Sequence, residues 1–299
     1  MIRFAHLSDM HVSPLPRFHA SEFTFKRGLA YLSWQRKRRH RFSAAVLERL
    51  IADLQTHQPD QVLVTGDQCN LSLAAEFSLS RAWLERLGEP ARVSVIPGNH
   101  DAHLLRPKKT WDAHWQPYMQ GDDGNREFPY LRRRGGVAII GVSSAIPTAL
   151  LMANGRVGSA QLARLRAMLL MLKREGLFRV VMIHHPPQIG AMKRRKALSD
   201  AAAFRAVLAE TGAELVLHGH GHEAMRATID GPEGPIAVRG CASASGNGTG
   251  MPAAQYHVMD VEAHAAHWAL RITHRQYDAV ADTFATRDEE ALTIARPSV

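Results

Sequence analysis

Runs of β-branched and aliphatic residues recur along this chain, and five of them stop at a polar cluster instead of an ordinary turn. IRFAHLS runs into Asp9 and His11, QVLVT into Gly66 and Asp67, and RVSVIP into Gly98, Asn99, His100 and Asp101. RVVMI ends at His184 and His185, and ELVL at His218, His220 and His222. Runs of this length and composition read as strands. Segments at about 42–57, 74–87, 159–175 and 199–211 carry apolar residues at three- and four-residue spacing and predict helices. Strands alternating with helices predict a layered α/β fold. Further runs (GVAIIGVSS, PIAVRG, YHVMDV, WALRIT), the last of them with few helices between, predict a second sheet with antiparallel parts.

A chain of 299 residues, 45% hydrophobic, can bury a large core. We expect one domain over residues 1–285, a basic, aromatic insertion at about 24–42, and a peripheral tail at 286–299. The longest apolar stretch, AQLARLRAMLLML, is broken by Arg164 and Arg166, so it predicts an amphipathic helix and not a membrane span. The opening strand leaves no room for a signal peptide, and Cys69 and Cys241 could form at most one bridge. A cytoplasmic protein with reduced thiols is expected, with peripheral contact to the inner membrane surface as an option for the insertion.

The net charge of +9 is concentrated. Residues 24–42 hold seven Lys or Arg and no acid, residues 132–134 are Arg-Arg-Arg, and residues 193–196 are Lys-Arg-Arg-Lys. These fourteen cations exceed the whole net charge, so the remaining chain is mildly acidic. Each cluster reads either as a contact for an anionic partner (phosphate groups, an acidic lipid surface, nucleic acid) or as a solvated helix face.

With 17 histidines in the chain, a lone one such as His103, His264 or His274 carries no weight. The clusters do. Loops at the carboxyl ends of strands in an α/β sheet converge on one crevice. Carboxylates, imidazoles and an amide crowded there would be costly without an organising positive charge. Glycines beside His220 and His222, and before Asp67 and Asn99, permit close backbone approach. A metal centre accounts for the set.

Taken in order, Asp-Met-His at 9–11, Gly-Asp at 66–67, Gly-Asn-His-Asp at 98–101, His-His-Pro-Pro at 184–187 and Gly-His-Gly-His at 219–222 resemble the calcineurin-like metallophosphoesterase family. The resemblance implies a two-layer β sandwich flanked by helices, four layers in the order αββα, with two divalent metals at the strand ends. It implies that Asp9, His11 and His222 hold one metal, that Asn99, His184 and His220 hold the other, and that Asp67 bridges them. His100, paired with Asp101, would steady the phosphate and protonate the leaving oxygen, and Asn70 would touch the substrate. His185 is the second choice for its motif. Two such cations can acidify water for in-line attack on phosphorus and neutralise phosphate oxygens, so no protein nucleophile is needed. Ligands of oxygen and nitrogen suit manganese, iron, zinc or cobalt.

Gln68 and Cys69 depart from the family's usual residues after Gly-Asp; Cys69 is expected to be a small packed residue and His218 a strand-end structural one. The function expected is a dinuclear-metal phosphohydrolase, foremost a phosphodiesterase of the cyclic nucleotide and glycerophosphodiester branch. The alternative is a lipid-facing pyrophosphohydrolase resembling UDP-diacylglucosamine hydrolases, which the insertion favours. A nuclease ranks lower because no added nucleic-acid-binding module is visible, and a metal-free scaffold ranks lower because every ligand position is filled.

Overall fold

A computed structural model describes residues 1–17, 19–103 and 107–296. Its twelve strands form two six-stranded mixed sheets packed face to face with helices outside, which is the α/β sandwich expected. In the first sheet, β1 (Ile2–Leu7), β2 (Gln61–Val64) and β3 (Val93–Val95) run parallel. Antiparallel β10 (Gln255–Ala263), β11 (His267–Asp278) and β12 (Thr283–Ala295) extend it on the far side of β1. In the second, β5 (Val137–Gly141), β6 (Phe178–Met182), β7 (Leu215–His218) and β9 (Ile236–Gly240) run parallel. The antiparallel edge strands β4 (Tyr130–Arg134) and β8 (Met225–Ile229) flank them. Every residue of β2, β6, β7 and β9 is buried, as expected for strands covered on both faces.

The predicted helices are α2 (Ala44–Thr56), α3 (Ala74–Leu87), α5 (Ser159–Arg174) and α6 (Ala201–Thr211), joined by α1 (Phe25–Arg36) and α4 (Pro107–His114). Helix α2 shows why spacing sufficed. Ser43 accepts a hydrogen bond from the Val46 amide at its start, and Val46, Leu47, Leu50, Ile51 and Leu54 are buried along one stripe.

Two expectations change. The closing strands were expected in the second sheet, but β10 and β11 pair onto β1 in the first. The segment from 286, expected as a peripheral tail, forms up to Ala295 the greater part of the edge strand β12, held by β11. Its mostly exposed, charged sequence lacks the apolar run that marks an interior strand.

The three basic clusters do different jobs. Arg132 is buried and donates to the main-chain carbonyls of Pro90, Val93, Pro117 and Gln120, while Arg133 and Arg134 pair with Glu175 and Asp122. That cluster ties β4 to the loops around it and is not an open anion site. In helix α1 the one buried residue is Arg27, which donates to the carbonyls of Glu22, Leu71 and Ser72, while Phe25 and Leu32 are 71% and 50% exposed.

Candidate metal centre

The ends of parallel strands from both sheets meet at one place. β1, β2 and β3 deliver Asp9 and His11, Asp67, and Asn99 with His100; β6 and β7 deliver His184, and His220 with His222. Asp9, His11, Asp67, His220 and His222 all have positive φ, between 41° and 67°, a conformation that costs energy in any residue with a Cβ. Five such residues at one point show the backbone bent to aim side chains. Space is equally tight: a Cβ on Gly98 would lie 2.2 Å from Asp67 Oδ1, and one on Gly219 would lie 2.4 Å from Asp9 Oδ2.

Main-chain carbonyls decide which ring nitrogen is free on three of the four histidines expected as ligands. A carbonyl only accepts, so the nitrogen beside it carries the proton. His11 donates from Nδ1 to Cys69 O at 3.0 Å, His184 from Nδ1 to Thr65 O at 2.7 Å, and His220 from Nε2 to Lys196 O at 2.9 Å. The lone pairs of His11 Nε2, His184 Nε2 and His220 Nδ1 are left for another partner, which is how metal-binding imidazoles are held. Around them, His222 Nε2 lies 3.2 Å from Asp9 Oδ1 and 3.1 Å from His11 Nε2. His184 Nε2 lies 3.2 Å from Asn99 Oδ1 and 3.4 Å from Asp67 Oδ2.

Electrostatics point the same way. Asp9 Oδ1 is buried and makes no hydrogen bond of good geometry, although His222 Nε2 lies 3.2 Å away. Burial disfavours a protonated His184, yet Asp67 outweighs that and raises its pKa to about 9. Positive charge is wanted between these groups. The seven side chains expected as ligands (Asp9, His11, Asp67, Asn99, His184, His220 and His222) therefore fit a metal centre, and the structure brings all seven together. His185 groups with His184 and His220, but Ser144 Oγ at 2.7 Å and Ala153 O at 3.2 Å take up both of its nitrogens. Cys69 is packed in the core, and His218 is buried at the end of β7 with Gly219 O 3.1 Å from its Nδ1.

Two expected roles are corrected. Asp101 does not pair with His100. Its carboxylate points inward and accepts from the amides of Gly98 and Cys69 at 2.8 Å each, clamping the third-strand loop to the second-strand loop. The partner of His100 is instead the carbonyl of Asn70, 2.7 Å from Nδ1. Nor does the Asn70 side chain reach the cavity, since its amide is buried and donates to Val12 O at 2.9 Å. Glu76 organises this stretch by accepting from the amides of Asn70, Leu71 and Leu73. Nothing in the local sequence separates Glu76 from an ordinary helix-start acid.

A cavity of about 310 Å3 opens over the centre, lined by Asp67, Asn99, His100, His220 and His222 and by the cations Lys37, Arg38, Arg41 and Lys196. Arg38 is the innermost of these cations. Its guanidinium lies 3.1–3.2 Å from both nitrogens of His100 and 3.2 Å from both of His11. Near-equal distances to both nitrogens place it over the ring faces, so these are stacked contacts that leave the in-plane lone pairs open. The insertion and the 193–196 cluster thus supply the cationic rim; within the basic runs no pattern singled out Arg38 or Lys196.

Comparison with known proteins gives the family and the fold. Two proteins of different Synechococcus strains, each named a probable cyclic nucleotide phosphodiesterase, are 29% and 27% identical to the chain. The first match covers 58% of this chain and 62% of the relative, and the second covers 69% and 75%. The fold matches a dimetal phosphatase from Danio rerio with a TM-score of 0.64 over 99% of both chains, at 12% identity. The sequence profile of calcineurin-like phosphoesterases matches residues 2–224, the stretch that carries every residue of the centre, and the chain belongs to that family of metal-dependent phosphoesterases.

Proposed function

We propose that this phosphoesterase is a phosphodiesterase working with two divalent cations, one held by Asp9, His11 and His222, the other by Asn99, His184 and His220, with Asp67 between them. The observation that carries this is the set of lone pairs left free by main-chain carbonyls on His11, His184 and His220, with His11 and His184 beside the buried carboxylates of Asp9 and Asp67 and His220 grouped with His184. When bound, the two cations would supply Lewis-acid activation of water and neutralise phosphate charge. The chain's own groups do the rest. The amide of His100 donates to Asp67 Oδ1 at 2.7 Å and steadies the shared carboxylate. The His100 ring, oriented by Asn70 O, keeps Nε2 for the substrate; protonated there from solvent, it would pass that proton to the leaving oxygen and return to the neutral form. Burial, and then Arg38, push the His100 pKa well down, so the ring starts neutral and gains its proton beside the anionic substrate. Arg38, Arg41, Lys37 and Lys196 hold the phosphate. The names of the Synechococcus relatives favour a diester, cyclic nucleotides included.

The test is a hydrolysis screen of metal-stripped protein reloaded with manganese, iron, zinc or cobalt, across aryl monoesters, aryl diesters, cyclic nucleotides and glycerophosphodiesters. Diester turnover that returns with metal and vanishes in Asp67→Ala supports the reading; turnover of monoesters alone overturns it.

A second reading has its own observation. Beside His100 the cationic cavity adjoins another of about 280 Å3 lined by Leu29, Ala30, Leu150, Leu151 and Met152, with Lys26 and Arg195 at its edge. Apolar and cationic surfaces side by side suit a phosphoester with an acyl chain, and an anionic membrane surface as the place it is met. No helix among the described residues is long and apolar enough to cross a membrane.

A further inference from the structure

A second buried group of ligand-type side chains lies outside the centre, between the two sheets. His6 on β1 pairs in register with His257 on β10, and Cys241 follows β9 in the opposite sheet. His6, His257 and Cys241 are each 1% exposed or less, and one ligand atom from each lies within 4.8 Å of the other two. The proposed function uses none of them. We propose that these three side chains bind a third metal ion, a thiophilic one of the Zn2+ or Cu+ class, as a structural clamp between the sheets.

The geometry fits. His6 Nδ1 and His257 Nδ1 are 3.3 Å apart. Two imidazole nitrogens on one tetrahedral zinc are separated by about 3.3–3.4 Å, given bonds of about 2.0–2.1 Å. The candidate dinuclear centre offers an internal comparison, since its neighbouring ligand atoms stand at 3.1–3.4 Å. The other nitrogen of His6 faces Thr65 Oγ1 at 2.9 Å, the orienting contact typical of a ligating imidazole. His257 Nε2 has no hydrogen-bond partner, which leaves the 3.3 Å contact with His6 as the polar contact of this buried ring. Thiolate with imidazole selects zinc or copper over the harder ions that suit the Asp9 and Asp67 carboxylates. Without an ion, the Cys241 thiol is placed to donate to Gln255 O at 3.1 Å. On binding, the sulfur–metal bond forms as the thiol proton leaves to solvent, with no change in oxidation state.

The ion belongs to neither sheet alone, because His6 and His257 come from the first and Cys241 from the second. It would lock the sandwich together one strand-end away from the catalytic ligands.

The test is to strip the full-length protein, reload it with cobalt, zinc or copper(I), and count metals by elemental analysis. Thiolate bound to cobalt absorbs by charge transfer in the near ultraviolet, and the dinuclear ligand set contains no sulfur, so that band reports Cys241 alone. The expected result is three metals per chain and the cobalt band, with Cys241→Ser and His257→Gln each losing the band and one metal while diester hydrolysis persists. Zinc uptake without copper(I) uptake, or the reverse, identifies the ion. Two metals in both wild type and Cys241→Ser, with no cobalt band, overturns the proposal and leaves a pair of neutral imidazoles. Failure of the dinuclear reading gives a different pattern, with the sulfur band present and no metal-dependent hydrolysis.

Discussion

The ring of His100 is held by the main-chain carbonyl of Asn70, 2.7 Å from its Nδ1, and not by the carboxylate of the adjacent Asp101. A carbonyl fixes the tautomer as firmly as a carboxylate but adds no negative charge beside Asp67 and Asn99. Replacing His100 by Asn should therefore keep metal content and slow turnover of a diester with a poor leaving group by about 10² to 10⁴. An activated aryl ester, which needs no proton, should be affected much less. Parallel kinetics on the two esters check this; equal losses on both refute the assignment.

Asp101 should behave as a structural residue. Its carboxylate takes the amides of Gly98 and Cys69, so an amide NH2 in Asp101→Asn faces donors with a donor. The variant should lose about 1–3 kcal/mol of stability. Any slowing should be the same for good and poor leaving groups. Thermal denaturation together with the same ester pair measures it, and a selective loss on the poor leaving group would restore Asp101 to proton transfer.

Gly98→Ala places a Cβ 2.2 Å from Asp67 Oδ1 and 2.5 Å from Asp67 N. Main chain and carboxylate are both in the way, so the shared ligand must shift. Metal affinity should fall roughly 10–100-fold, as when a ligand's supporting contact is lost. Chelator competition reads this directly, and unchanged affinity would mean that the loop moves aside at no cost.

Arg38 stands over His11 and His100 at the floor of the cavity. A charge-assisted contact to a phosphate oxygen contributes about 1.5–3 kcal/mol, so Arg38→Ala should raise KM for a small anionic diester roughly 10–100-fold. Lysine at this position should recover only part, because it cannot stack its charge on the two rings. An unchanged KM would place Arg38 outside substrate binding.

Phe25 and Leu32 present apolar surface on a helix anchored by Arg27. If that face meets an anionic bilayer, Phe25→Ser with Leu32→Ser should abolish salt-sensitive sedimentation with anionic vesicles and spare hydrolysis of a small soluble ester. Arg27→Ala should instead lower stability, because it frees the carbonyls of Leu71 and Ser72. Wild-type protein that ignores vesicles at low salt ends the lipid reading.

Much of the candidate site was legible in the chain because which side chains follow a strand end is a local property. An apolar run ending in Gly-Asp or Gly-Asn-His states both that a strand stops and which atoms stand at its end. Helices α2, α3, α5 and α6 were equally legible, since each buries a stripe that repeats every three to four residues. What remained hidden depends on partners distant in sequence. The pairing of β10 with β1 joins residues more than 250 apart, and apolar alternation alone cannot say which sheet a strand enters. Adjacency suggested Asp101 for His100, but the local backbone turns consecutive side chains in different directions, and a carbonyl thirty residues away took the place. Basic runs state charge without direction, so only tertiary packing could send Arg27 into the core, spread Arg132 over four carbonyls and stand Arg38 above His11 and His100.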